Sequence, residues 1–257
     1  MPSSLNRQPP TTTARIALGR TGDAVPVAEH LRFQLDHALA RDAVHATLDV
    51  PMLERGLRER GIPAITVHSA ARDRSEYLRR PDLGRRLATH PGAPSLDSET
   101  WVRSMPAGSH ESPTLAIILA DGLSALAVER HALPLLDALA SRIPNPSPRI
   151  PVVIATNARV ALGDAIGEAL GARITVMLIG ERPGLSSPDS LGAYLTWNPR
   201  PGRADSERNC ISNIRAEGLS YAEAAARIAH YLREAQRLHA TGIALKDPDT
   251  PPLLGPA

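Results

Sequence analysis

The chain has 257 residues, enough to bury a sizeable core in one large domain or two smaller ones. Its 29 Lys and Arg residues nearly balance 27 Asp and Glu residues, and aromatic residues make up only 3%. Because no basic run alternates with aromatic residues, the composition argues against nucleic acid as a partner.

The cysteine content and the polar termini indicate a protein of the reducing cytoplasm. Cys210 is the only cysteine, so no intrachain disulfide can form and a cysteine-ligated zinc site is disfavoured. The first 13 residues have no apolar core of signal-peptide length, and no stretch approaches the ~18 apolar residues of a membrane span. We therefore expect no membrane contact. Residues 1–13 and the proline-containing residues 247–257 are predicted to be flexible tails.

Residues 14–110 are predicted to form a mainly helical N-terminal domain. Apolar side chains share one helical face at Val27, Leu31, Leu35, Ala38 and Leu39. Pro51 and Pro81 each suit the first turn of a helix, where a missing N–H costs nothing. Residues 90–113 are rich in Pro, Gly, Ser and acidic residues, which predicts a linker and a domain boundary.

Residues 111–246 alternate between strand and helix patterns. Apolar runs predict strands at 115–120, 150–156, 174–179 and 191–197, and helical patterns occur at 125–141, 160–170 and 221–241. Ser220 and Glu223 form a capping box before the last helix. Solid apolar runs are typical of strands covered on both faces. We therefore predict an α/β fold in which the helical region precedes an open, mostly parallel, Rossmann-like sheet with flanking helices.

Three successive predicted strands end in polar or glycine-containing segments, at Asp121-Gly122, at 157–160 and at 180–184. Ligands of open α/β sheets bind beyond the carboxyl ends of the strands, so this edge is a candidate binding site. The alternative at each end is a glycine that only makes a turn. Residues 19–22 contain two glycines but lack a complete dinucleotide or P-loop motif, which disfavours a nicotinamide or nucleoside-triphosphate enzyme.

The sequence offers no recognisable catalytic or metal-binding set. Its nine histidines do not cluster, and no HExxH motif occurs. We interpret His37, His45 and His68 as surface or packing residues. Since no Ser–His–Asp arrangement can be placed either, we expect no metal site and no catalytic residue in this chain.

Six short segments of the chain form a recognisable series: ALGRTG at 17–22, YLRRPDLGRRL at 77–87, ADGLS at 120–124, AIGE at 165–168, GERPGL at 180–185 and NCISNI at 209–214. In these segments the chain resembles the small (light) subunit of ethanolamine ammonia-lyase. They follow the family's order and extend over roughly residues 14–245.

This resemblance implies an adenosylcobalamin enzyme that converts ethanolamine to acetaldehyde and ammonia by a radical mechanism. A large subunit would carry the ethanolamine site and the radical chemistry, and this chain would help to hold the cobalamin within a hetero-oligomer. Packaging in a bacterial microcompartment is a further possibility for such a cytoplasmic assembly. The alternative is a free-standing α/β module that binds a nucleotide-like ligand without a catalytic partner.

The family's cobalamin-contacting positions fall on Val160, Glu181 and Cys210. Glu181 could accept hydrogen bonds from the amide groups at the corrin rim, Val160 could make apolar contact, and Cys210 could pack against the ring edge. The alternative for Cys210 is a buried packing cysteine. Arg182 is a weaker candidate, either for the phosphate of the nucleotide loop or for stabilising a turn. Because the DxHxxG motif of histidine-ligated cobalamin proteins is absent, the resemblance implies a base-on cofactor.

Overall fold

The computed structural model describes residues 18–89, 114–143 and 150–245. The predicted tails at 1–13 and 247–257 and the predicted linker at 90–113 lie outside these ranges. The domain boundary that was placed at the linker therefore stays a prediction.

The described strands form a single mixed sheet. They are β1 Ala64–His68, β2 Leu115–Ala120, β3 Val152–Thr156, β4 Ile174–Gly180, β5 Leu191–Trp197 and β6 Arg208–Ile214. Their order is β1-β3-β2-β4-β5-β6. The first four in this order pair in parallel, whereas β5 and β6 are antiparallel to their neighbours. The α/β class is confirmed with a mixed sheet, and the closer likeness to a Rossmann fold stays a prediction.

Helices cover both faces of this sheet. The described α-helices are α1 Val27–His45, α2 Val50–Glu59, α3 Arg74–Arg79, α4 Ala125–Ala140, α5 Leu162–Ala169 and α6 Tyr221–Leu238. Side-chain oxygens satisfy backbone N–H groups where helices begin: Ser124 accepts from Ala127 N at the start of α4, and Ser220 and Glu223 form the predicted capping box of α6. None of the described helices is long and apolar enough to span a membrane.

The sequence patterns located the central strands correctly and missed two others. β1 is only five residues long and lies in the region that was predicted to be mainly helical, yet it pairs with β3. β6 mixes buried and exposed residues, so no solid apolar run marks it. Pro51 lies in the first turn of α2, as predicted. The prediction for Pro81 is wrong, because it precedes a short 3-10 turn, Leu83–Arg85, outside any α-helix.

Two apolar layers account for the solid apolar character of the central strands. One layer packs α2, α4 and α6 against one face of the sheet, with Leu53, Leu135 and Ile228 among its buried members. The other packs α5 against the opposite face, where Val160 and Tyr194 lie at its margin. Since all six residues of β2 are buried, burial on both faces explains the unbroken run.

The helical face predicted for α1 is present but does not pack into the core. Val27, Leu31, Leu35 and Leu39, here called the α1 stripe, have exposed fractions of 73, 58, 59 and 47%. Ala43 is the buried residue of this helix. The apolar spacing therefore identified the helix correctly, while the face that it marks points away from the rest of the described chain.

Candidate functional site

A cleft of about 400 Å³ lies beyond the carboxyl ends of β2, β3 and β4. We call it the strand-end cleft. Its lining residues are Tyr77, Gly122, Leu123, Arg159, Val160, Ile179, Gly180, Glu181, Arg182 and Tyr194. The three polar strand ends identified in the sequence therefore meet at one place, on the side of the sheet that α5 covers.

Two glycines allow the ends of β2 and β4 to approach each other closely. Leu123 N donates to Gly180 O over 2.9 Å. A Cβ at Gly122, whose φ is +53°, would lie 2.1 Å from Gly180 O, and one at Gly180 would lie 2.0 Å from Ser124 O. Any side chain at either position would therefore separate the two strand ends. These glycines do more than make turns, since both line the strand-end cleft where the two strand ends approach.

Asp121 anchors the loop that follows β3. Its carboxylate accepts hydrogen bonds from Asn157 N at 2.8 Å and Ala158 N at 2.9 Å, and it pairs with Arg74 at 3.2 Å. Burial raises the pKa of the Asp121 carboxyl, while Arg74 and the two backbone N–H groups act in the opposite direction and favour the ionised form. Asp121 thus has a positioning role: it holds the loop that carries Arg159 and Val160 into the cleft.

Glu181 presents a fixed carboxylate at the end of β4. Its Oε2 atom accepts from Ser190 Oγ at 2.5 Å and from Asn213 N at 3.1 Å. Its Oε1 atom has no hydrogen-bond partner within the described ranges and lies over Gly192, where an added Cβ would be 3.0 Å away. One carboxylate oxygen is therefore used to hold the side chain, and the other remains able to accept a hydrogen bond from a ligand.

Of the other predicted site residues, two line the strand-end cleft and one lies outside it. Val160 and Arg182 both line the strand-end cleft. Arg182 is exposed and makes no side-chain hydrogen bond or ion pair within residues 18–89, 114–143 and 150–245. Cys210 does not line the cleft but is paired with Tyr194, which does. Because Cys210 is exposed, the alternative that it is a buried packing cysteine is wrong.

Three cleft residues were not singled out in the sequence: Tyr77, Arg159 and Tyr194. Tyr77 lies in the motif at 77–87 and Arg159 in the polar strand end at 157–160. The sequence therefore marks both positions but indicates no function for either side chain. Burial, followed by contact with Cys210, raises the pKa of Tyr194, which keeps its hydroxyl protonated. Tyr194 had no local signal, since only the antiparallel pairing of β5 with β4 places it opposite Met177 and on the cleft wall.

The chemistry of the strand-end cleft is that of a binding site for a ligand of mixed character. It offers a carboxylate acceptor at Glu181, guanidinium donors at Arg159 and Arg182, and apolar or aromatic surface at Val160 and Tyr194. No group of three His, Cys, Asp or Glu side chains that could hold a metal ion occurs among residues 18–89, 114–143 and 150–245.

Comparison with known proteins identifies the family. The model of the ethanolamine ammonia-lyase light chain family (EutC) matches residues 3–246. The chain belongs to this family. It is similar to the ethanolamine ammonia-lyase small subunit of Azotobacter vinelandii, with 54% identity over 237 residues that cover 92% of this chain and 85% of the relative.

Further family members agree. The small subunit of Xanthomonas campestris pv. campestris is 53% identical over 247 residues, which cover 95% of this chain and 88% of the relative. That of Pseudomonas paraeruginosa is 53% identical over 237 residues, 92% of this chain and 84% of the relative. The family predicted from the motifs is confirmed, and with it the prediction that the chain is an ammonia-lyase subunit.

Proposed function

We propose that this ethanolamine ammonia-lyase small subunit holds part of an adenosylcobalamin molecule in the strand-end cleft. The observation that carries the proposal is the fixed carboxylate of Glu181, whose Oε1 atom is left without a protein partner in the described part of the chain. The rim of cobalamin bears amide groups whose N–H donors need acceptors. An ionised acceptor makes such bonds about twice as strong as a neutral one.

The neighbouring residues fit the same ligand. Val160 offers apolar contact at the cleft wall, and Tyr194 adds an aromatic surface beside it. Cys210 lies one strand further out, opposite Tyr194, where an exposed thiol could reach the edge of a corrin ring that extends beyond the cleft. When bound, adenosylcobalamin supplies the radical chemistry, and this chain supplies binding and orientation. We further propose that the cofactor stays base-on.

A second polypeptide is part of the proposal. Clefts of about 400 Å³ suit ligands much smaller than cobalamin, so another wall is needed to enclose the cofactor. The α1 stripe also supports a partner, because contiguous exposed apolar residues mark interaction surfaces. Both features favour a subunit over the alternative of a free-standing nucleotide-binding module. We propose that a large subunit supplies the opposite wall and the ethanolamine site, in a cytoplasmic hetero-oligomer that could be packaged in a microcompartment.

Binding by the assembled enzyme tests the role of Glu181. We expect Glu181→Ala to weaken adenosylcobalamin binding by about 1–3 kcal/mol, the cost of leaving a polar group unpaired. The measurement is equilibrium dialysis of the complex formed with the large subunit. Glu168→Gln is the matched control, since Glu168 is exposed on α5. An unchanged Kd for Glu181→Ala would refute the assignment.

Activity tests the division of labour. Acetaldehyde formation from ethanolamine should require both subunits and adenosylcobalamin. Activity from this chain alone would contradict the proposed partnership. Inactivity of the complex of both subunits with adenosylcobalamin would refute the proposed reaction.

A further inference from the structure

Arg159 is the half-buried arginine of the strand-end cleft, and its guanidinium lacks a counter-charge among the described residues. Its Nε atom is buried and has no hydrogen-bond partner among the described residues. Its guanidinium also makes no ion pair there, whereas Arg74, which lies over the same Tyr77 ring, is paired with Asp121, although its own Nη2 atom also lacks a partner. Buried donors in native proteins are almost always satisfied. An arginine that lines a cleft and has no counter-charge among the described residues therefore points to an anionic acceptor that a ligand brings.

The guanidinium is held in place without the help of a carboxylate. It lies over the ring of Tyr77, 4.4 Å from the centroid, an arrangement favourable for a cation. The Tyr77 hydroxyl donates to Ala158 O at 3.0 Å, and Arg159 N donates to Gly84 O at 2.8 Å. A Cβ at Gly84 would lie 2.9 Å from Arg159 Cγ, so the side chain passes close over this backbone. Packing therefore orders the Arg159 side chain, and its guanidinium N–H donors remain available to a ligand.

The charges around the cleft favour an anion. Its charged lining residues are Arg159, Arg182 and Glu181. Glu181 is already engaged by Ser190 and Asn213 and does not pair with either arginine. The lining therefore carries one more positive than negative charge. Of the two cations, Arg159 is half-buried and Arg182 is exposed, so an anion at Arg159 is better shielded from water, which strengthens the interaction.

We propose that Arg159 is a cofactor-binding residue that takes the anionic phosphodiester of the cobalamin nucleotide loop. The inference rests on the proposed function and assigns one group of the ligand to one side chain. A planar guanidinium matches phosphate oxygens with paired donors. The amide groups at the corrin rim are neutral and are served by the carboxylate of Glu181 instead.

The test compares two corrinoids that differ in this group. Cobinamide keeps the corrin ring and its amides but lacks the phosphodiester and the nucleotide base. Equilibrium dialysis of the complex with the large subunit gives the Kd of each corrinoid from its visible absorption. We expect Arg159→Met to raise the Kd of cobalamin about 10- to 100-fold, the range for a hydrogen bond to a charged group, and to change that of cobinamide less than about threefold. Arg159→Lys should lie between, because it keeps the charge and loses the paired donors.

Controls separate this inference from the function on which it rests. Arg173→Met removes an exposed arginine just before β4, at the end of the strand remote from the cleft, and should leave both Kd values unchanged. If the wild-type complex binds no cobalamin, the proposed function fails. If it binds cobalamin and Arg159→Met weakens both corrinoids equally, or neither, the role of Arg159 fails while the function stands. If the Arg159→Met chain does not assemble with the large subunit, the same comparison of the cobalamin Kd with the cobinamide Kd is made for Arg159→Lys and decides the question.

Discussion

Replacing Asp121 by Asn should destabilise the chain strongly, although the two side chains have nearly the same shape. Both carboxylate oxygens of Asp121 accept a backbone N–H, from Asn157 at 2.8 Å and from Ala158 at 2.9 Å. An asparagine must turn its NH₂ group toward one of these donors, which loses that bond. It also leaves the Arg74 guanidinium, whose side chain is only 8% exposed, without its counter-charge.

The expected loss follows from this geometry. Breaking a buried ion pair by removing one partner costs about 3–5 kcal/mol, because the remaining charge stays buried. We expect the free energy of unfolding to fall by that amount for Asp121→Asn. Removing both charges, in Asp121→Asn with Arg74→Met, should recover part of the loss.

Urea denaturation followed by tryptophan fluorescence measures the change. Asp137→Asn is the matched control, since Asp137 also pairs with an arginine, Arg60, but its side chain is 53% exposed. A surface pair of this kind contributes about 0–1 kcal/mol. A loss below about 1 kcal/mol for Asp121→Asn, or one no larger than that of the control, would refute the reasoning that this pair anchors the cleft loop.

Three further predictions concern the cleft and the response to acid. Gly192→Ala should weaken cobalamin binding several-fold by displacing Glu181, since the new Cβ would lie 3.0 Å from Oε1; an unaltered Kd in equilibrium dialysis would contradict this. Bound cobalamin should slow the reaction of a thiol reagent with Cys210, which is the single cysteine of this chain. An equal labelling rate with and without the cofactor would refute a contact between Cys210 and cobalamin. The hydrogen bond from Arg60 lowers the pKa of Asp137, so the stability from this pair is fully present above about pH 4 and is lost as the pH falls through the lower folded-state pKa. Asp137→Asn should therefore flatten the acid limb of the unfolding free energy in urea titrations, and an unchanged slope would argue against the pair.

Part of the candidate site could be predicted from the sequence, because neighbouring residues mark where a buried strand ends. An apolar run followed by a charged residue and a glycine shows where a buried strand stops, and the run 174–179 with Glu181 behind it is such a case. The motif GERPGL in that position also carried the family identity, which the comparisons confirm. The predicted cobalamin contacts of Val160, Glu181 and Cys210 stay predictions.

What the sequence could not supply is the set of partners that each strand end acquires. The sequence indicates Asp121 only as part of a polar strand end. In the structure its carboxylate oxygens accept hydrogen bonds from backbone N–H groups 36 and 37 residues further along the chain. The contact between Tyr77 and Ala158 spans 81 residues. Neither separation leaves a periodic trace, because such contacts depend on how whole segments pack.

The sequence alone determined the longer helices with a regular apolar spacing, the central strands and their ends, and the family to which the chain belongs, because burial on one or two faces gives apolar residues a regular spacing. The tertiary structure decided the rest: that β1 joins the sheet, that the antiparallel strands β5 and β6 place Tyr194 on the cleft wall with Cys210 opposite it, and that Arg159 Nε has no partner among the described residues. These features arise from close packing between distant segments, where register and free hydrogen-bonding capacity are settled only once all neighbours are in place.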